Sequence, residues 1–525
     1  MHLHGLITPY TCTALITHTS PEIFLKRPVV EGDRWRLDCK AEQGVRIYVM
    51  LYKEFKMALN INSQYSKRTL MQLHPNIKTP CHCWLLGTPR EDSSHRPISF
   101  YFVGGTDLAF GRWDDCEHRL TDVGNVTSNK SCIHIWSKGL SSCTYFSLYS
   151  RRGSMHSVQT GVGEEEGNTH FWHTTPRMPW HDISSVVHGK AARDVAWHFI
   201  QRWNFSKEMK PKYRSSSYPY LELKPHSTGN DLKYQVPDCV QTKVQVLRSA
   251  GIELHESSHN AYQAIAKSEH FIYIENQFFS SSADNKHNKK FHVFVGISLW
   301  PGFEGDIREG GGDTAQAIMT MKRGKLSIIT QLEKERVMGD QWVNYISVCG
   351  LRTHVELEGK LVTQPIYVHS KLLIADDNTG IIGSTIINDG SMLGKRDSEV
   401  AVIFEDSETT ASVMDGQEYQ AGKFALQLRL ECFNDPISDG FYKDLWMNIS
   451  ARNTTIYEKV FRCLPSSLVR NKQELLSFRS EPGLDKKEPV KAQKLLKKIH
   501  GFLVQSPLDF LCEENLKPSE ATEED

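Results

Sequence analysis

The order of apolar and polar positions predicts strands and helices along much of the chain. Val45 to Leu51 is an apolar run of strand length, and Glu54 to Leu73 carries apolar residues at helical spacing. Gly189 to Trp203 reads as a helix with Ala192, Val195, Ala196, Phe199 and Ile200 on one face. A helix is expected around Glu256 to Ala266, followed by strands at Phe271 to Phe279, Phe291 to Leu299 and Gln341 to Gly350. Tyr367 to Asp376, apolar at Val368, Leu372 and Ile374 and bounded by an Asp-Asp-Asn-Thr-Gly loop, reads as a buried strand entering a turn. Tyr145 to Asn168 and Lys210 to Asp238 are polar and read as surface loops; Pro301 to Asp306 and Gly310 to Gly312 read as loops at a site mouth. The link from Ser280 to Lys290 is short and polar, although parallel neighbours need a crossover of roughly a dozen residues, usually helical.

Composition narrows this picture. At 525 residues the chain can bury a large core and build two lobes or more than one domain. Lys+Arg and Asp+Glu balance at 62 each, so no global field draws in nucleic acid or an anionic membrane. Eleven Trp and 10% aromatics argue against disorder. The twelve Cys, scattered from Cys12 to Cys512, read as reduced cytosolic thiols. Cys81-His82-Cys83 lacks a second ligand pair, so no metal is expected. Met1 to Ser20 has neither the basic start nor the apolar run of a signal peptide. No stretch is long enough to span a bilayer, which predicts at most a peripheral membrane contact. Lys491 to Ile499 is a basic amphipathic helix, read as a solvated face packed on the core rather than as a contact with anionic lipid.

The candidate chemistry sits on the Tyr367 to Asp376 strand. Side chains alternate along a strand, so His369 and Lys371 project from one face. An ammonium that holds an anion, beside an imidazole that attacks or protonates, suits chemistry on a phosphate. Asp376 would orient an imidazole or pair with Lys371. Glu275 and Gln277 share a face of an apolar strand, where Glu275 supports a catalytic imidazole or serves as a cross-strand partner.

H-x-K alone is short and common. The whole string, His369-x-Lys371-x4-Asp376-x6-Gly383-Ser384 followed by Ser391 to Glu399, resembles the carboxy-terminal catalytic motif of the eukaryotic phospholipase D family. Pro21 to Glu31 resembles the start of that family's catalytic region, and Ile274-Glu275-Asn276-Gln277 a run it carries near its active site. The resemblance implies two similar α/β lobes related by a pseudo-twofold axis, with the active site at their interface. It divides the chain into an unassigned segment 1–20, a first lobe 21–144, interlobe loops and a helix 145–240, a second lobe 241–510 and an acidic tail 511–525. One histidine would attack phosphorus to form a phosphohistidine while the other protonates the departing alcohol, with no metal or other cofactor required for the chemistry. His369 would be the acid and base, Lys371 the phosphate clamp, Asp376 its support, and Ser384, Gly383, Gly104 and Gly105 would line the phosphate. The implied reaction converts phosphatidylcholine to phosphatidic acid and choline at a phospholipid membrane surface, in the cytoplasm or peripherally on intracellular or plasma membranes. A phosphoinositide lipid as activator and small GTPases or kinases as regulators are implied by the family alone; nucleic acid is not an expected partner. The family's asparagine after Gly383-Ser384 is replaced by Ile386, and Gly390 stands where an arginine is usual.

The first motif departs further. Val103 to Asp115 resembles the block that follows it, so its histidine, lysine and aspartate belong at 90, 92 and 97; Arg90, Asp92 and Pro97 stand there. Three prolines between Thr79 and Phe100 make a central strand improbable there. Permissible codons for Leu86 to Phe100, read one nucleotide later, spell Trp-Ala-His-His-Glu-Lys-Ile-Val-Val-Ile-Asp-Gln-Ser-Val. That is a family-like first motif, which points to a compensated frameshift between about Thr79 and Phe102. As written, the chain holds an acid without its nucleophile and is expected to be impaired. A non-catalytic lipid-phosphate-binding relative and a nuclease of the same superfamily are the alternatives; a nuclease calls for a basic groove.

Overall fold

The computed structural model describes residues 13–17, 41–52, 63–79, 81–82, 100–105, 114–121, 176–222, 239–249, 265–277, 291–299, 339–387, 399–433 and 440–514. The expectations for Arg90, Asp92 and Pro97, for the 145–168 and 301–312 loops, for most of the 256–266 helix, for the 280–290 link, for Gly390 and for 515–525 lie outside them.

In the amino-terminal part, β1 (Thr13–Thr17), β2 (Ile47–Tyr52), β3 (Ile77–Lys78) and β4 (Cys81–His82) form a parallel four-stranded sheet, with α1 (Ser63–Leu73) preceding β3. Ile47 to Leu51 are buried without alternation, as in a parallel strand covered on both faces. Tyr48 and Met50 pack on Phe199 and Trp203 of the helix described next. β5 (Phe100–Gly104) pairs antiparallel with β7 (Ser184–His188), which follows the short β6 (Trp180–His181). The segment 145–240 thus supplies two strands as well as the expected helix, α2 (Gly189–Met209). That helix buries its Ala192, Val195, Ala196, Phe199 and Ile200 stripe and stops before Pro211, whose ring disfavours helical geometry at Lys210.

The remaining strands are β8 (Thr242–Ser249), β9 (Phe271–Asn276), β10 (His292–Ile297), β11 (Ile346–Leu357), β12 (Lys360–Val368), β13 (Lys371–Ala375), β14 (Thr379–Gly383), β15 (Glu399–Asp406), the hairpin β16 (Thr409–Met414) and β17 (Gln417–Gly422), and β18 (Leu503–Gln505). Apart from the β16–β17 pair they join β6 in one mixed sheet, ordered β6-β12-β11-β10-β9-β13-β14-β15-β8 with β18 against β11. β9 and β10 are parallel, with His292 opposite Phe271, although the link between them is as short as the sequence indicated. The strand expected from Gln341 instead opens with a 3-10 turn, Gly339–Asn344, and extends to Leu357 in a long hairpin with β12. Helices α3 (Lys423–Cys432), α4 (Asn448–Phe461), α5 (Lys472–Ser480), α6 (Leu484–Lys487) and α7 (Pro489–Leu496) complete the chain, with one π-helical stretch, Phe441–Met447, leading into α4. Phe271, Tyr273, Phe294, Leu372, Ile374 and Phe404 fill the main core together with Phe424, Tyr442 and Trp446.

The fold is therefore α/β around one large mixed sheet. A local correspondence between its halves is visible in strand register: Gly104 of β5 lies opposite Ser184 of β7, as Gly383 of β14 lies opposite Ala401 of β15. Among the described residues, Cys349, Cys432, Cys463 and Cys512 are thiols outside any disulfide, in line with the reading of scattered thiols. Cys239 departs from it in being disulfide-bonded. No helix among the described residues is long and apolar enough to cross a membrane.

Candidate active site

Sheet register gathers the site at one end. Lys371 opens β13 opposite Asn276, Gly383 closes β14, and Glu399 opens β15, so Glu275, Gln277, Lys371, Ser384 and Glu399 share the edge where parallel β9 ends. Ligands in open α/β sheets bind outside the carboxyl ends of parallel strands, and this edge has that character. The strand expected over Tyr367 to Asp376 is in fact two, β12 and β13, because the chain leaves one neighbour and joins another at His369-Ser370. The break does not separate the pair: Lys371 Nζ is 3.1 Å from His369 Nε2 and donates to the His369 carbonyl at 2.7 Å.

The imidazole is held from the other half of the chain. His369 Nδ1 lies 2.8 Å from Oδ2 of Asp182, and the His369 amide donates to the carbonyl of His181 at 2.8 Å. A carboxylate only accepts, so Nδ1 carries the proton and Nε2 of the neutral ring keeps its lone pair toward Lys371. Gln277 fixes the ammonium: its Oε1 accepts from Lys371 Nζ at 3.1 Å while its Nε2 donates to the Tyr367 hydroxyl at 3.0 Å. Trp180 stacks on Tyr367 at 4.5 Å and lies 5.0 Å from the His369 ring. Trp180 is itself tied down by Asp114, whose carboxylate accepts from its amide at 2.8 Å and from Arg177 at 2.6 Å. Burial pushes the Asp114 carboxyl up, but hydrogen bonds from His118 and Arg177 outweigh it and hold the group below the usual range.

The predicted residues divide. Glu275 is 4% exposed; its Oε2 meets His181 Nε2 at 2.9 Å and its Oε1 accepts from the Tyr273 hydroxyl at 2.6 Å. It does support an imidazole, but that of His181 on β6 rather than that of His369. Burial opposes both charges; the His181 charge and hydrogen bond still hold the Glu275 carboxyl low, and Glu275 in turn raises His181. Gly105 backs onto the site, since a β-carbon there would fall 2.7 Å from Lys371 Cδ and 3.0 Å from the His369 carbonyl oxygen. Gly104 and Gly383 serve packing, because a side chain on either would strike the neighbouring strand at Ser184 or Ala401. Ser384 reaches the site edge with its hydroxyl on Glu399 at 2.5 Å and accepts from the Val400 amide at 3.1 Å.

Asp376 is the clear correction. It follows β13 at the far end of the strand, roughly 20 Å along the chain from His369 at about 3.3 Å per residue. There it adopts a left-handed conformation, φ 52°, and its carboxylate accepts from the amides of Glu269, His270 and Phe271 at 2.6–2.9 Å. It ties the turn to β9 and supports neither His369 nor Lys371. The residues in that role, Asp182 and Gln277, carried faint signals: Asp182 closes the Pro179-Trp180-His181-Asp182 run, and Gln277 ends the Ile-Glu-Asn-Gln strand. Strand register adds one more equivalence. Asp182 precedes by two residues the strand position opposite Gly104, and Glu399 precedes by two the position opposite Gly383. Glu399 thus holds, relative to Gly383, the register position that Asp182 holds relative to Gly104.

The model of phospholipase D matches residues 146–297 and 333–436. The chain is 50% identical to phospholipase D1 of Cricetulus griseus, covering 96% of this chain and 62% of that protein. The chain belongs to the phospholipase D family. It is also 32% identical to phospholipase D zeta 2 of Arabidopsis thaliana, over 95% of this chain and 61% of that one. Among solved structures it is similar to Nuc, a phospholipase D family member from Salmonella typhimurium, with 15% identity, a TM-score of 0.20, and 39% of this chain and 95% of that chain covered. The chain spans less than two thirds of the length of these sequence relatives. The alignment to the Cricetulus protein runs over 652 positions, more than the 525 residues here, so that relative carries internal segments absent from this chain.

Proposed function

We propose that this site binds the phosphodiester of a phosphatidylcholine-like phospholipid, as the second-lobe half of a phospholipase D centre releasing choline and phosphatidic acid. The observation that carries the reading is the Asp182–His369–Lys371 chain: a carboxylate on Nδ1 and an ammonium 3.1 Å from Nε2. To act as the acid, His369 would first take a second proton from solvent on Nε2, the imidazolium being stabilised by Asp182, and would then give that proton to the leaving choline oxygen. It would then take a proton from the water that resolves a phosphohistidine formed on the other lobe's imidazole. Lys371 supplies a cation for the non-bridging oxygens, and Gly105 leaves room for them beside it. The zero net charge gives no support to the nuclease alternative.

With Arg90 where the nucleophile belongs, the chain as written would keep lipid-phosphate binding and lose turnover by roughly 10³- to 10⁶-fold, as when one member of a catalytic unit is missing. Arg90 is also the observation that favours a second reading, a non-catalytic lipid-phosphate-binding relative. Binding is therefore the test that applies to both. Calorimetric titration with monomeric short-chain phosphatidylcholine should give saturable binding that Lys371→Met weakens at least tenfold. Binding unchanged in Lys371→Met would place the lipid elsewhere.

A further inference from the structure

The carboxy-terminal helices carry a surface that the catalytic reading does not use. From Leu484 to His500 the chain holds six lysines, Lys486, Lys487, Lys491, Lys494, Lys497 and Lys498, against the two carboxylates of Asp485 and Glu488. All six lysines are exposed. Helix α7 buries Ala492 and Leu496 against Ile456 and Val460 of α4. At about 100° per residue this inward line leaves Lys491, Lys494, Lys497 and Lys498 on the outward arc. Val490 belongs to the same arc and is 68% exposed.

Immediately past the last lysines the surface is hollowed. A depression of about 380 Å³ lies between the start of α4 and His500, lined by Asp444, Leu445, Asn448, Ile449, Arg452 and His500. Arg452 and His500 supply positive and hydrogen-bonding groups at its wall, Asp444 opposes them, and Leu445 and Ile449 supply an apolar lip. A single exposed valine is ordinary on a soluble surface, so the choice of partner rests on the lysines taken together with the apolar Leu445 and Ile449 beside Arg452. A bilayer uses both: lysines meet anionic headgroups while Val490 and Leu445 enter the interface.

We propose that α6, α7 and the adjoining depression form a docking surface for an anionic phospholipid bilayer, with one headgroup seated between Arg452 and His500. The contact is electrostatic in its long-range part, with the apolar groups adding to it at close range. It is independent of turnover, so it stands or falls separately from the catalytic reading.

The test is co-sedimentation of the full chain with vesicles of phosphatidylcholine alone and of phosphatidylcholine mixed with phosphatidylserine. Binding is expected on the mixed vesicles and to fall with added salt. The double variant Lys494→Gln/Lys498→Gln should weaken it roughly tenfold or more, since each lysine contributes several-fold at such a surface. Val490→Ser should weaken binding while leaving the salt dependence unchanged, and Arg452→Gln should weaken it on mixed vesicles only. Equal binding to both vesicle types, or binding indifferent to the two lysines, overturns the proposal. Absence of binding to either vesicle overturns it as well and assigns the lysines to an acidic protein partner or to solvent.

Discussion

Asp182 Oδ2 stands 2.8 Å from Nδ1 of His369, a contact across 187 residues of sequence. It gives the imidazole a fixed tautomer and joins two segments that share no local pattern. Replacing Asp182 with Asn keeps the shape and offers an amide that can donate, which stabilises the wrong tautomer. In a chain with its first motif restored, Asp182→Asn should cost on the order of 10³- to 10⁴-fold in kcat, the scale seen when the orienting carboxylate of a catalytic histidine is lost. Steady-state choline release measures it, with circular dichroism expected to be unchanged.

Gly105 touches the site through the space it leaves empty. Gly105→Ala would press a methyl group against Lys371 Cδ and the His369 carbonyl. Overpacking of this kind costs about 1–3 kcal/mol, spread between stability and a displaced ammonium. Calorimetric titration with short-chain phosphatidylcholine should show weaker binding, beyond what a small drop in Tm accounts for.

The His181–Glu275 pair makes stability depend on pH in a stated direction. His181 is raised in the fold, so its contribution is complete below the unfolded histidine value and is lost as pH rises through the raised one. Glu275 is lowered, so its contribution is present above the unfolded carboxyl value and is lost as pH falls through the lowered one. The gap in Tm between the native chain and Glu275→Gln should therefore be widest between the two values, at mildly acidic pH. It should narrow toward alkaline pH as His181 loses its proton. Thermal melts of both proteins across pH test this.

At the far end of the sheet, the Arg429 guanidinium bridges Asp377 at 2.8 and 2.9 Å, with both side chains almost wholly buried. Burial raises the Asp377 carboxyl, and Arg429 opposes that rise. Arg429→Met leaves a buried carboxylate without its partner and should cost about 3–5 kcal/mol in denaturant unfolding. Arg429→Met with Asp377→Asn should recover a measurable part of that loss.

How much of this was legible in the sequence depends on the distance over which each residue acts. His369 and Lys371 were readable because strand alternation fixes a face within two residues, and their contact survived the break at Ser370. Glu275 was readable as a buried acid on an apolar strand, though not that His181 would be its partner. Asp182 was not, because only tertiary pairing of β6 with β12 brings it to the imidazole. Asp376 misled because motif spacing is silent about direction: a residue past the strand's end lies at the opposite edge of the sheet, where a left-handed turn favours aspartate for local reasons. Ser384 and Gly383 were placed at the correct edge, but their contacts are with Glu399 and Ala401, which no local pattern names.

The half-centre reading makes turnover depend on a second imidazole that Arg90 does not supply. The most direct measurement is choline release from phosphatidylcholine by three proteins: the chain as written, the chain with Leu86 to Phe100 replaced by the shifted-frame segment, and that restored chain carrying His369→Ala. Background release is expected from the first, turnover from the second, and a return to background in the third. Turnover by the chain as written, or release by the restored chain that survives His369→Ala, would contradict the half-centre reading.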